Sequence, residues 1–404
     1  MHDASAGASG GGSLESLRRA NQLRVVDALR REGSASRADL MRITGLSRTT
    51  ITSLLATLLE RGMVIESEVE AQRQGRGRPP ALLRLAPKAG AVLGVDFGHR
   101  HLRVAVADLS STVLAERRAD VDVDTAAELA LDLATRMVTE VLEEAGLTID
   151  RVVAAGMGLP GPIDRRTGRV RSSVILPAWS GLDAAEQLAR RLGVPVDVDN
   201  DANLGALAEF TFGAARGLDD VIYVKVSSGI GAGIILGGRL HRGVTGNAGE
   251  IGHVEVRADG VVCRCGNRGC LETVASGSAL LGVLRPVHGD ALTLAGMLEL
   301  AAAGDPGTLR VINDAGRAIG HALGDLCNSL NPGAIVVGGD LSAAGAPLLD
   351  GIREAVDRHA QPGAAEAVTV IRSVLGERAE MLGALPLVIN DTDRLRSVGL
   401  VAVS

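Results

Sequence analysis

The 404-residue chain is 46% hydrophobic, holds no apolar run approaching the ~20 residues of a membrane helix, and begins without a hydrophobic signal core. It is expected to be a cytoplasmic globular protein of two or three domains. The net charge of −6 hides an asymmetry, because residues 1–90 carry fourteen Arg and Lys against nine Asp and Glu, leaving −11 for the rest. Lys88 and Lys225 are the only lysines, so the positive charge is nearly all guanidinium, suited to forked contacts with phosphate and guanine. Aromatic residues at 1% exclude base-stacking platforms and aromatic sugar shelves, so any sugar site must work through hydrogen bonds.

After a small-residue tail over residues 1–12, Leu17, Leu23, Val26 and Leu29 recur at helical spacing and predict a helix from Ser13 to Arg31, stopped by Gly33. Ser36-Arg37-Ala38-Asp39 has the pattern of a capping box and opens a short helix through Ile43. Thr44-Gly45-Leu46 then turns, and Ser47 caps a third helix reaching Arg61. This is helix-turn-helix spacing. On the third helix Ile51, Leu54, Leu55 and Leu58 form the buried stripe, while Arg48, Thr49, Thr50, Thr52 and Ser53 are placed to meet base edges and phosphates in a major groove. Met63 to Val69 and Ala81 to Leu85 read as strands bracketing a basic loop over residues 73–80. Its Arg76 and Arg78 can enter a narrow minor groove as a wing. The module at 1–85 is therefore expected to bind double-stranded DNA, with a linker at 86–90.

Beyond the linker, Ala91 to Val95 and Leu102 to Ala107 predict a hairpin around Asp96-Phe97-Gly98-His99-Arg100. The pattern recurs as Val221 to Val226 and Ala232 to Leu236 around Ser227-Ser228-Gly229-Ile230-Gly231. Two such halves imply duplicated α/β lobes, expected at 91–205 and 206–404, facing one cleft, with the C-terminal segment free to return to the first lobe. Gly158-Leu159-Pro160-Gly161-Pro162 follows the strand Val152 to Met157 and reads by itself as a rigid Pro/Gly connection. Asp201 either caps the helix from Ala202 to Phe210 or serves a ligand.

His253, Cys263, Cys265 and Cys270 gather an imidazole and three thiols within eighteen residues. That donor set and the short Cys-x-Cys step predict a structural zinc knuckle, closed to water because protein fills all four positions. The flanking Glu250 and Glu272 either buttress the knuckle or grip a hydroxyl-rich ligand. Cys327, in an apolar helical stretch, reads as a buried thiol.

With Asp96, Asn200-Asp201, Gly229-Ile230-Gly231-Ala232-Gly233, Glu250-x-Gly252-His253 and Cys263-x-Cys265-x4-Cys270 in that order, the chain resembles the ROK family of repressors, open reading frames and kinases over essentially its whole length. The resemblance implies an N-terminal winged helix-turn-helix followed by a two-lobed α/β domain of the actin, hexokinase or ribonuclease H-like kind. It further implies that Asn200, Asp201, Glu250, His253 and Glu272 contact sugar hydroxyls, with His253 holding zinc through its other nitrogen. In the family's kinases the residue at Asp201 would be the general base. Those kinases follow the first-strand Asp with Gly-Gly-Thr, whereas Gly98 here is followed by His99 and Arg100, side chains that crowd a phosphate-binding turn.

A sugar-responsive regulator, most simply a repressor acting as a homodimer or homotetramer on operator DNA, is therefore expected, with a sugar or sugar phosphate as effector and no catalytic residue. The alternatives are a sugar kinase carrying a DNA-binding appendage and a regulator whose lobes recognise another protein or a phosphosugar.

Overall fold

The computed structural model describes residues 11–67, 81–86, 90–164, 167–170 and 174–389. The N-terminal unit comprises α1 (Gly11–Glu32), β1 (Ala35–Ser36), α2 (Arg37–Thr44), α3 (Arg48–Glu60), β2 (Val64–Ser67) and β3 (Leu82–Leu85). The capping box forms in full: the Asp39 amide donates to the Ser36 hydroxyl and the Ser36 amide donates to the Asp39 carboxylate. Gly45, with φ at +67°, ends α2 in the left-handed conformation that glycine adopts without a Cβ penalty. Ile51, Leu54, Leu55 and Leu58 are buried as their spacing requires, against Val25, Leu29 and Leu40. Leu17 departs from expectation at 58% exposed: among the described side chains of α1 the buried ones begin at Gln22. Strand β1, which no sequence pattern announced, pairs Ala35 with Leu83 and completes a three-stranded sheet in the order β1-β3-β2. The expected wing tip, with Arg76 and Arg78, and residues 87–89 of the expected linker lie outside the described residues.

The first lobe is built on β4 (Ala91–Gly98), β5 (His101–Asp108), β6 (Val113–Asp120), α4 (Ala127–Glu144), β7 (Val152–Leu159), the small pair β8 (Ile163–Asp164) and β9 (Arg169–Val170), α5 (Ala184–Leu192) and β10 (Val196–Asn200). After α6 (Asp201–Thr211) come β11 (Val221–Val226), β12 (Ile230–Leu236), β13 (Arg239–His241), α7 (Glu272–Ala275), α8 (Gly277–His288), α9 (Leu294–Ala302), α10 (Pro306–Leu330), β14 (Ala334–Gly338), α11 (Ala346–His359), α12 (Pro362–Ala367), β15 (Thr369–Arg372) and α13 (Ala379–Ile389).

The duplication read from the two hairpins extends to whole sheets. One is ordered β6-β5-β4-β7-β10 and the other β13-β12-β11-β14-β15, each an antiparallel meander extended by two parallel strands. Every residue of β4 is buried, because Leu93, Val95 and Phe97 face α4 while Val92 faces the C-terminal helix α13. Helix α13 follows the second sheet in sequence yet packs on the first, against β4, β7 and α6. The approach is so close that a Cβ on Gly156 would lie 1.9 Å from the Ala384 carbonyl oxygen, and one on Gly383 would lie 1.8 Å from that of Leu204. Glu209, fully buried on α6, fixes the entry to α13: one carboxylate oxygen accepts from the Ser373 hydroxyl and the Val374 and Leu375 amides, the other from the Ala214 amide. Four donors on one carboxylate meet the demand that a buried charge be hydrogen-bonded. Among the described residues no helix is long and apolar enough to cross a membrane.

Candidate functional site

The knuckle grows out of backbone geometry. The Cys263 amide donates to the Asn267 carbonyl and the Gly266 amide to that of Cys263, closing a tight loop in which Gly266 and Gly269 take φ of +97° and +67°. Packing at Gly269 is tight enough that a Cβ there would lie 1.6 Å from the Arg257 carbonyl oxygen. The loop brings the ligand atoms of His253, Cys263, Cys265 and Cys270 within 4.8 Å of one another. His253 Nδ1 lies 3.7 Å from Cys263 Sγ, and Cys265 Sγ lies 3.7 Å from Cys270 Sγ. Tetrahedral zinc with bonds of about 2.3 Å to sulfur sets its ligands about 3.8 Å apart, so the group fits such an ion. Burial and the neighbouring thiols push the Cys270 thiol up to about 12, a crowding that a bound cation would relieve. Cys327 is a buried thiol remote from this group in α10, raised to about 11 by burial.

His253 turns its other ring nitrogen the opposite way, to 3.8 Å from a Glu250 carboxylate oxygen. Burial raises the Glu250 carboxyl to about 7, and the nearby carboxylates of Asp201 and Glu272 add to the rise. The carboxylates of Asp201, Glu250 and Glu272 thus lie close enough for their charges to act on one another, with His253 beside Glu250 and Asn200 next to Asp201 in the chain. The capping role considered for Asp201 falls instead to Asn200, whose side-chain oxygen accepts from the Ala202 and Asn203 amides while its amide group donates to the Gly161 carbonyl. That last bond ties the Gly158–Pro162 segment to the start of α6. Asp201 is the first helical residue of α6, where a carboxylate is favoured by the helix dipole.

Several charged residues beside this group were not singled out in the sequence. The Lys225 ammonium donates to Asp201 Oδ2 at 2.9 Å and lies 3.0 Å from Glu380 Oε1 on α13. Burial opposes that charge, but Asp201, Glu380 and Asp96 outweigh it and hold the ammonium well above the usual lysine value. Arg264, between Cys263 and Cys265, donates to Glu272 at 2.8 Å, and Glu272 also accepts from the Ile230 amide. Arg242 donates to buried Asp199 at 2.6 Å, and Asp199 holds Asn203 with its other oxygen. The one usable signal was Lys225 itself: a rare lysine inside the apolar strand Val-Ile-Tyr-Val-Lys-Val demands a buried acid partner.

The first hairpin turns at His99-Arg100. His99 Nδ1 lies 2.7 Å from Asp124, Arg100 points to Asp122, and His101 Nε2 lies 3.0 Å from Asp96. The His101 ring covers Gly98 so closely that a Cβ there would lie 2.2 Å from it. In the second turn, between β11 and β12, the Ser227 hydroxyl accepts from the Asp340 amide, tying that turn to the end of β14.

At the N-terminal unit, α3 presents Arg48, Thr49, Thr52 and Ser53 to solvent, with Thr50 partly covered. The Ser47 hydroxyl caps the helix and meets the Thr49 and Thr50 hydroxyls at 2.9 and 2.8 Å, while Thr52 donates to the Arg48 carbonyl. Arg48 is therefore the long cationic side chain at the head of an exposed helix in a helix-turn-helix.

Residues 92–391 match the model of the ROK family, and residues 17–76 that of the MarR family. The chain belongs to the ROK family. Its relatives include the xylose repressor of Bacillus subtilis strain 168, 31% identical over 93% of this chain and 96% of that one. A solved structure of a ROK family transcriptional regulator, described as a homologue of the E. coli MLC protein, superposes with a TM-score of 0.78 at 28% identity, over 95% of this chain and 99% of that one. The ROK lobes alone also match a ROK family glucokinase from Streptomyces griseus solved with glucose and AMPPNP, at 32% identity and a TM-score of 0.65, over 74% of this chain and 99% of the kinase. This ROK chain thus joins a MarR-type DNA-binding unit to a fold shared by repressors and kinases.

Proposed function

We propose that this ROK protein is a sugar-responsive transcriptional repressor whose operator affinity changes when a sugar occupies the cleft between its lobes. The observation that carries the reading is the continuity of an exposed helix-turn-helix recognition face with a cleft of hydrogen-bonding side chains, in a chain matched end to end by repressors. Arg48, Thr49, Thr50, Thr52 and Ser53, with Arg76 and Arg78 of the wing, would contact DNA. Asn200, Asp201, Glu250, His253 and Glu272 would hold sugar hydroxyls, which suit carboxylates accepting two bonds and an amide that both donates and accepts. Structural zinc on His253, Cys263, Cys265 and Cys270 would fix His253 and its neighbouring acids at binding geometry, leaving no open position for catalysis. The protein would work in the cytoplasm as a homodimer or larger homo-oligomer, since lobe closure can alter the spacing of two winged helices.

A non-catalytic role is favoured over a kinase by two contacts. The Lys225 ammonium sits on Asp201 Oδ2, and the Ala202 amide donates to Oδ1, so both oxygens that a general base would offer are engaged. The His101 ring covers the backbone of the first turn, where a kinase needs an open approach for phosphate. Two substitutions divide the roles. Arg48→Ala is expected to weaken operator binding while leaving sugar affinity unchanged, and Glu250→Ala to do the reverse. Magnesium-dependent phosphoryl transfer from ATP to a hexose, abolished in Asp201→Ala, would overturn the reading.

A further inference from the structure

Resting on the reading of the knuckle as a zinc site, we propose that it is also a peroxide-responsive switch, in which oxidation joins Cys265 to Cys270 and ejects the metal. The three thiols of the group are not equivalent. Cys263 and Cys270 are buried, whereas Cys265 is exposed, as are its neighbours Arg264, Gly266, Asn267 and Arg268. A small polar oxidant therefore reaches one sulfur first. A second thiol stands ready to resolve the product, since Cys270 Sγ lies 3.7 Å from Cys265 Sγ and a short movement closes a disulfide of about 2.05 Å. The two sulfurs sit on unequal supports. Cys270 is fixed: it follows Gly269, where a Cβ would lie 1.6 Å from the Arg257 carbonyl oxygen, and precedes Leu271, whose amide donates to the Val254 carbonyl. Cys265 precedes Gly266, where a Cβ would meet nothing within 4 Å. The open arm can carry Cys265 to a stationary Cys270.

The chemistry runs in two steps, with hydrogen peroxide as oxidant. The Cys265 thiolate attacks peroxide, the O–O bond breaks, and the sulfur keeps one oxygen as a sulfenic acid while the other leaves as hydroxide. The Cys270 thiolate then attacks that sulfur, forming the S–S bond and expelling a second hydroxide. Two electrons pass from the two sulfurs to peroxide, and each hydroxide takes a proton from solvent to become water. Both sulfurs give up the charge that held the cation, which retains only His253 and Cys263 and is released. The change reaches beyond the knuckle. Arg264 rides on the moving arm, and its guanidinium donates at 2.8 Å to Glu272, which also accepts from the Ile230 amide at the head of β12. Oxidation thus draws on the acid whose charge acts on Glu250, and frees the His253 ring beside it.

The test is stepwise addition of hydrogen peroxide to the full-length, zinc-loaded protein. Released metal is read with a chromogenic chelator, remaining thiols with a thiol-reactive dye after denaturation, and cross-links by peptide mass spectrometry. Zinc release and thiol loss should rise together, ending with bound zinc near zero, about two of the chain's four thiols left, and Cys265 joined to Cys270. Dithiothreitol with added zinc should restore both. Zinc retained while thiols are lost, a disulfide between any other pair, or a loss that dithiothreitol cannot reverse overturns the proposal and leaves the zinc reading in place. A protein that neither carries zinc nor takes it up overturns that reading, and the proposal with it. Cys265→Ser cannot serve as the control, because it removes a ligand of the metal. Cys327→Ala can, since Cys327 is buried in α10 apart from the group, and it should release zinc at the parent rate. A markedly slower release in that variant would assign the resolving thiol to Cys327 and contradict the proposal.

Discussion

His253 illustrates how one residue can join two tasks. Its Nδ1 faces the thiols and its Nε2 faces Glu250, so a metal on one side would fix the ring for a ligand on the other. Replacing Cys265 by Ser should therefore release zinc, measurable as a fall in bound metal toward zero, and lower the melting temperature, because metal-binding energy in such knuckles is folding energy. A chelator should reproduce both effects on the unaltered protein. Ser36 offers a second residue-level prediction. Removing its hydroxyl in Ser36→Ala breaks the cap on α2 and should cost about 1 kcal/mol of stability in the N-terminal unit, read by urea denaturation. Its partner Asp39 is held below the usual carboxylate value by hydrogen bonds from Ser36 and Arg42. A lowered folded-state pKa stabilises above the unfolded value and loses that contribution as pH falls through the folded one. The difference between Ser36→Ala and the parent should therefore shrink below about pH 4.

At the scale of elements, α3 and α13 carry the account. The stripe Ile51, Leu54, Leu55 and Leu58 was legible because its period of 3.6 leaves a single face to bury, and the caps at Ser36, Gly45 and Ser47 were legible because their chemistry is local. Leu58→Ala should cost about 2–5 kcal/mol, since its side chain is wholly enclosed. The grouping of His253 with Cys263, Cys265 and Cys270 was equally legible, being close in sequence and chemically distinctive. The Lys225–Glu380 contact was not, because 155 positions separate the partners and no local pattern tells which sheet α13 will cover. Nor was β1, two residues long and formed only because β3 presents an edge. Lys225→Met should strand Asp201 and Glu380 together and destabilise the fold by about 3–5 kcal/mol, the range for breaking a buried ion pair from one side. Adding Glu380→Gln to it should restore much of that loss, and a purely additive double variant would mean that the two residues are not coupled.

The whole molecule joins a helix-turn-helix unit to a body of two duplicated sheets in which acidic side chains gather around Glu250. The apolar cluster that holds Leu29, Leu58 and Leu85 of the N-terminal unit continues through Val92 and Ala154 of the first lobe to Leu382, Leu385 and Ile389 of α13. Helix α13 carries Glu380 at its start, bound to the lysine that holds Asp201. A ligand that moved Asp201 would thus act on a helix embedded in the core shared with the DNA-binding unit. Coupling between the two sites is a free energy, and it is reciprocal: sugar must change operator affinity by the same factor that operator changes sugar affinity. The most direct test is fluorescence anisotropy with an operator duplex recovered by selection on the protein itself, titrated at fixed salt with and without a saturating sugar that calorimetry has shown to bind. The account predicts that sugar weakens operator binding by about fivefold or more, and that Glu250→Ala abolishes the effect while binding the free operator as the parent does. Equal operator affinity with and without a sugar known to be bound would contradict it.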